Sequence, residues 1–404
     1  MRRRSVLGDV CRHLGIVVLG VILIVPQSVD AWDASLSSDG SSSIAILAGW
    51  IVRPDGTLEK DIAVVVQDGK VRRTCPAKDI QGLPLHKTGQ HTVICPGLID
   101  LFSSVGAAGQ NVETAKVVDP DASALDAVDP LHKDFRVALQ SGITAVMVAP
   151  TPNNLVSGTC ACVRTFVHEG KLDVLERGSP LVFVLREGVW HEERPPTSRA
   201  GAIHMLRAVL ADARKGKAHS LVNAVVAGRL KGLIVCRSGQ DVAAARGVLG
   251  NLARSVAIVH TDDAIDLAVK AGDIHCPVVV GPYTYASSRR VLLGAAALAR
   301  SKIDVAFRGS FPESPPEALR ITAALAVRYG MEPAAARRAM TIAPAKIAGV
   351  AGRVGAIAPG RDADLVVFSG DPLRLDKVVL EVYVRGVRVY AAVNQGALSI
   401  GERQ

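Results

Sequence analysis

The feature that most restricts the fold is a succession of short apolar runs separated by helix-like stretches. The runs lie at Gly142 to Ala149, Leu181 to Leu185, Gly232 to Val235, Val256 to Val259, Val278 to Val280 and Ile303 to Phe307. Between several of them the text turns helical, as at Val242 to Leu252 and Ala264 to Lys270. Apolar strands without alternation are buried on both faces, and buried strands alternating with helices make a parallel sheet. Carried over about 250 residues, the pattern predicts a closed (β/α)8 TIM-like barrel. A chain of 404 residues with 49% hydrophobic content can bury such a core and a small satellite beside it.

The satellite is predicted from both ends of the chain. Ala45 to Val52 and Ile62 to Val66 are short β-branched segments flanked by Pro54-Asp55-Gly56 and Asp68-Gly69. After a helical stretch from Glu317 to Ala351, with a cap at Gly330, strands are expected again at Arg353 to Gly360 and Asp364 to Phe368. Val378 to Val384 and Val387 to Tyr390 follow, joined by Arg385-Gly386 as a hairpin. The expected organisation is a signal peptide over 1–31, a Ser-rich linker over 32–44, and a small β-sandwich domain made of 45–95 and 351–396. That domain encloses a barrel over 96–350 and leaves a tail at 397–404.

Three motifs in order resemble the amidohydrolase superfamily. Cys95-Pro96-Gly97-Leu98-Ile99-Asp100 is similar to the family's first barrel strand, and Thr341-Ile342-Ala343-Pro344-Ala345-Lys346 to its Thr-x-Asn-Pro-Ala-Lys helix. The third, Gly355 to Val367, is similar to its Gly-x-Ile-x-x-Gly-x-x-Ala-Asp-Leu-Val return strand. Pro152 to Gly158 also resembles a loop of imidazolonepropionase-like members. The resemblance implies the barrel with its composite domain, and a hydrolase of non-peptide carbon-nitrogen bonds such as those of cyclic amides.

It also implies one or two divalent ions, zinc among them, that lower the pKa of a bound water to about 7. The family's ligands are His-x-His on strand one, Lys or Glu on strand four, His on strands five and six, and Asp on strand eight. Carried over, the first pair falls on Phe102 and Ser104, the fifth-strand His on Cys236, the sixth on His260 and the Asp on Ser310. Only His260 keeps the family residue, and the fourth-strand position is left unplaced. Arg308, two residues before Ser310, suits an anion better than a cation. Two readings follow: a hydrolase with a site rebuilt around His260 and Cys236, or a barrel that binds a small ligand or partner without chemistry.

Other residues read more plainly. His191-Glu192-Glu193, beside Arg194-Pro195-Pro196, is a solvated loop, and Cys160-Ala161-Cys162 on a strand would place two buried thiols on one face. Six cysteines follow the signal peptide, an even number that permits a disulfide, although a core of this size favours buried free thiols. A net charge of +9 spread along the chain with 4% aromatic residues argues against nucleic acid. Arg2, Arg3 and Arg4 ahead of an apolar run from Leu14 to Val25, closing on Val29-Asp30-Ala31, have the layout of a secretory signal. Arg3-Arg4 also resembles a twin-arginine signal. The run is too short for an ordinary membrane span, so export to the periplasm or beyond is expected, with no stable span after cleavage.

Overall fold

The computed structural model describes residues 43–111, 113, 115–190, 194–250, 252, 256–260 and 276–392, with only the backbone at 260. The expected signal peptide and tail lie outside these residues, as do His191 and the helix expected at Ala264 to Lys270.

The barrel sheet holds eight strands in chain order: β6 (Leu98–Ser103), β7 (Ile143–Val148), β8 (Val156–Arg164), β9 (Val174–Val184), β10 (Gly232–Cys236), β11 (Val256–His260), β12 (Val278–Val280) and β13 (Val305–Phe307). Its seam is closed by Asp100 of β6, whose carboxylate accepts from the Gly309 amide at 2.6 Å and the Phe311 amide at 3.2 Å. Ser103 donates to the Phe311 carbonyl at 2.8 Å in the same place. The apolar runs are the strands and are buried. Helices α1 (Asp134–Gln140), α2 (Arg199–Arg214), α3 (Ser220–Val226), α4 (Gly239–Leu249), α5 (Arg289–Arg300) and α6 (Ala318–Arg328) alternate with them where the chain has length for a crossover.

One strand departs from the expected pattern. β8 runs antiparallel to both β7 and β9. Only seven residues separate β7 from β8 and nine separate β8 from β9, and a parallel return needs a dozen or more. The segment from Pro152 to Gly158, read from sequence as a loop, therefore contributes its last three residues to a barrel strand. Cys160 and Cys162 stand two apart on this strand and are fully buried. All six cysteines among the described residues are free and buried.

The chain ends meet as expected. β1 (Ser43–Val52), β3 (Ile62–Gln67), β4 (Lys70–Pro76) and β5 (Leu85–Pro96) join β14 (Leu365–Phe368), β15 (Val379–Val384) and β16 (Val387–Ala391) in one sheet, with β2 (Leu58–Lys60) on β1. β14 pairs antiparallel with β5, so the return strand lies directly on the segment that leads into the barrel. The β15–β16 turn places Arg385 and Gly386 both at positive φ, as a two-residue hairpin requires. β1 starts at Ser43, within the stretch read as linker. Arg353 to Gly360, expected to be a strand, is a series of turns. Its Gly355 is at φ +89 and abuts Ala345 and the Thr341 carbonyl, a backbone that leaves no room for a regular strand.

Pro96-Gly97 has a steric reason at the junction of the two sheets. A Cβ on Gly97 would lie 1.9 Å from Thr144 Oγ1 of β7, so only glycine lets the two backbones approach. Helices α7 (Pro333–Ala339) and α8 (Ile342–Ile347) then close the amino-terminal end of the barrel.

Candidate functional site

Barrel chemistry is placed at the carboxyl ends of the strands, and each family ligand position can be followed there. On β6, Phe102 takes a left-handed backbone, φ +58, and its ring lies under the Arg308 guanidinium, 5.5 Å from carbon to centroid. Ser104 is buried and its hydroxyl donates to the Glu313 carboxylate. Neither supplies the imidazole that the family uses.

The register across β9, β10 and β11 pairs Val184 with Val235 and Cys236 with His260. Leu185, whose amide donates to the Val235 carbonyl, thus stands at the level of Cys236 and His260. Leu185 and Arg186 are therefore the residues at the end of the fourth strand, where the resemblance puts the ligand left unplaced from sequence. An apolar run ending in Leu-Arg carries no metal-ligand signal, which is why the position could not be found. Arg186 is half-buried, and its Nε has no hydrogen-bond partner among the described residues. Burial, then the nearby Arg237 charge, lowers its pKa.

Cys236 is fully buried, and burial pushes its thiol pKa well up, with Asp241 and Cys276 adding to the effect. A protonated thiol is a poor zinc ligand, because the thiolate is the binding form. Ser310, at the place of the family's proton-accepting Asp, has φ +56 and is 7% exposed. Its hydroxyl has no partner among the described residues. Phe102 and Ser310 thus share a costly backbone geometry at two positions where the family places ligands. Backbone strain of this kind collects at functional sites.

Asp100 is a residue that sequence reasoning passed over except as part of a motif. It is fully buried, and loss of solvent raises its carboxyl to about 6, although the Gly309 and Phe311 amides favour the anion. His260 sits at the end of β11, in register with Cys236. Cys160 and Cys162 lie within β8 and away from its ends, and burial raises both thiols, Cys162 to about 12. Among the described residues, no group of three or more His, Cys, Asp or Glu side chains could hold a metal ion. A catalytic zinc takes three such ligands; Phe102, Ser104 and Ser310 supply none of them, and the side chain of His260 lies outside the described residues.

Residues 235–392 match the model of the amidohydrolase family. An amidohydrolase from Thermotoga maritima superposes with a TM-score of 0.77 at 23% identity, covering 86% of this chain and all of that one. The chain has the amidohydrolase fold. Molinate hydrolase is similar at TM-score 0.54 and 13% identity, over 86% of this chain and 95% of its own. Ochratoxinase from A. niger is similar at 0.53 and 15%, over 88% and 97%. No curated protein matches the sequence. Within this amidohydrolase fold, the ends of β9, β10 and β13 are followed by Arg186, Arg237 and Arg308, and Arg237 pairs with Glu187 at 3.7 Å.

Proposed function

We propose that this amidohydrolase-fold protein binds a small anionic molecule at the mouth of the barrel and does not activate water on a metal. The observation that carries the reading is the Phe102–Arg308 contact: an aromatic ring and a guanidinium occupy the surroundings in which the family holds a dication. A fixed positive charge there disfavours a metal ion and favours a carboxylate or phosphate. Arg186, half-buried and with its Nε unpartnered among the described residues, adds to the same field.

The experiment is metal analysis of the purified protein joined to anion binding. We expect well under one equivalent of zinc or any other divalent ion, the same content in His260→Ala, and binding of a small dicarboxylate such as succinate that weakens about tenfold in Arg186→Gln. A stoichiometric metal lost in His260→Ala, with hydrolysis of a cyclic amide lost alongside it, would overturn the reading. It would favour the second one, a hydrolase of carbon-nitrogen bonds rebuilt around His260 and Cys236, which the hydrolases among the similar structures support. We also propose that the protein works after export, with a mature chain beginning near Trp32. Amino-terminal sequencing of exported protein that returned Met1 would refute that part.

A further inference from the structure

A cavity of about 720 Å³ opens at the opposite end of the barrel from the mouth. It is walled by the amino ends of β10 to β13, by α7 and α8, and by Pro54-Asp55 in the turn between β1 and β2. Its size is that of a small-molecule site. Ala257, Val305, Ile342 and Ile347 give it an apolar lining.

Five charged side chains border it, and they are not balanced. Asp55 is already engaged, its carboxylate accepting from the Thr57 amide at 3.0 Å and hydroxyl at 2.6 Å. Lys231 donates to the Lys346 carbonyl at the end of α8. Arg338 and Lys346 are exposed and no ion pair among the described residues engages them, and the same holds for Asp304. The Lys231, Arg338 and Lys346 cations therefore face the Asp55 and Asp304 carboxylates, a net excess of one positive charge, across an apolar floor.

We infer that this amino-end cavity is a second binding site, for an amphipathic organic anion with an apolar body and a single carboxylate head. The apolar lining gives such a molecule a dry surface for its chain, and Arg338 and Lys346 supply the charge at the rim. A purely inorganic anion would leave the lining uncovered, and an amphipathic cation would meet the excess positive charge. The inference is independent of the mouth: the two sites lie at opposite ends of the strands and share no residue.

Octanoate is a suitable probe, titrated into the full-length protein with calorimetric or NMR detection and with octylammonium and inorganic phosphate as contrasts. We expect saturable octanoate binding with a Kd on the order of 1 mM, ordinary for a ligand of this size, and no saturation by either contrast. The Arg338→Gln/Lys346→Gln double variant should bind about tenfold more weakly at an unchanged melting temperature, because both side chains are exposed. Asp304→Asn should bind about threefold more tightly, an opposite shift that a general loss of structure cannot produce. Ala343→Trp, which fills the cavity, should abolish binding, and Arg186→Gln at the mouth should leave it intact. Octylammonium binding as tightly as octanoate, octanoate binding that survives both the double variant and Ala343→Trp, or binding lost only in Arg186→Gln would each overturn the proposal.

Discussion

Arg164 donates through Nε to Asp364 Oδ2 at 2.8 Å, joining the end of β8 to the start of β14 across 200 residues of chain. The same guanidinium donates to Asp362 at 2.6 Å and to Asp173 at 2.7 Å. Its side chain is wholly buried, and so nearly is that of Asp364. Burial alone would discourage the charge, but Asp364, Asp173 and Asp362 outweigh it and hold Arg164 firmly charged. The Ala-Asp-Leu-Val motif therefore has a mechanical meaning here: its Asp ties the small sheet to the barrel.

Arg164→Met should destabilise the protein by about 3–5 kcal/mol, since it strands buried carboxylates without a partner. Arg164→Lys should recover only part of that, because one ammonium cannot serve three carboxylates in fork geometry. Denaturant midpoints for the two variants test this, and a loss below about 1 kcal/mol in Arg164→Met would show that the triad is not what joins the sheets.

Asp100 predicts the direction of a pH effect. Its folded-state pKa of about 6 lies above the ordinary 3.8, so the folded chain binds this proton more tightly than the unfolded one. The stability it contributes is complete below the unfolded value and is lost as pH rises through about 6, a swing on the order of 3 kcal/mol. Asp100→Asn removes the titration, so its stability profile between about pH 4 and pH 6.5 should lack the downward slope of the parent protein. Parallel profiles would disprove the assignment.

Ser310→Gly should raise stability by about 1 kcal/mol, because glycine adopts φ +56 without strain and removes a buried hydroxyl that has no partner among the described residues. If the mouth binds an anion, the same change should weaken that binding. Stability and affinity moving together would mean that the strained serine has no role at the mouth.

Gly97→Ala tests the junction between the sheets. With Thr144 Oγ1 only 1.9 Å from the new methyl, the two backbones must separate, and a loss of more than about 2 kcal/mol is expected in thermal or chemical unfolding. Thr144→Ala in the same chain should restore part of it.

Much of the architecture could be read from the text because burial on both faces leaves an unmistakable apolar run. The strands from Ile143 to Phe307 and the pairing of both chain ends followed from that and from the motifs. β8 was missed because its Ser, Gly, Thr and Cys residues, among them Ser157, Gly158 and Thr159, do not stand out as an apolar run, although all are buried. Arg353 to Gly360 was misread because it has the alternating look of a strand while its glycine geometry forbids one. At the site, the substituted positions on β6, β10 and β13 could be named from sequence. The arginine beside Leu185, the strain at Phe102 and Ser310, and the raised Asp100 depend on neighbours from distant strands, and nothing local encodes them.

The reversal of β8 decides what its last residue can reach. A strand running with its neighbours would have delivered Arg164 to the opposite rim of the barrel, adding one more cation there. Turned around, the strand carries that arginine to the floor of the molecule, where the composite sheet is waiting with Asp362 and Asp364. One barrel stave thus serves as the bolt between the two sheets of the protein. A substitution in β8 should accordingly be felt as domains coming apart before it is felt as a change in what the mouth prefers.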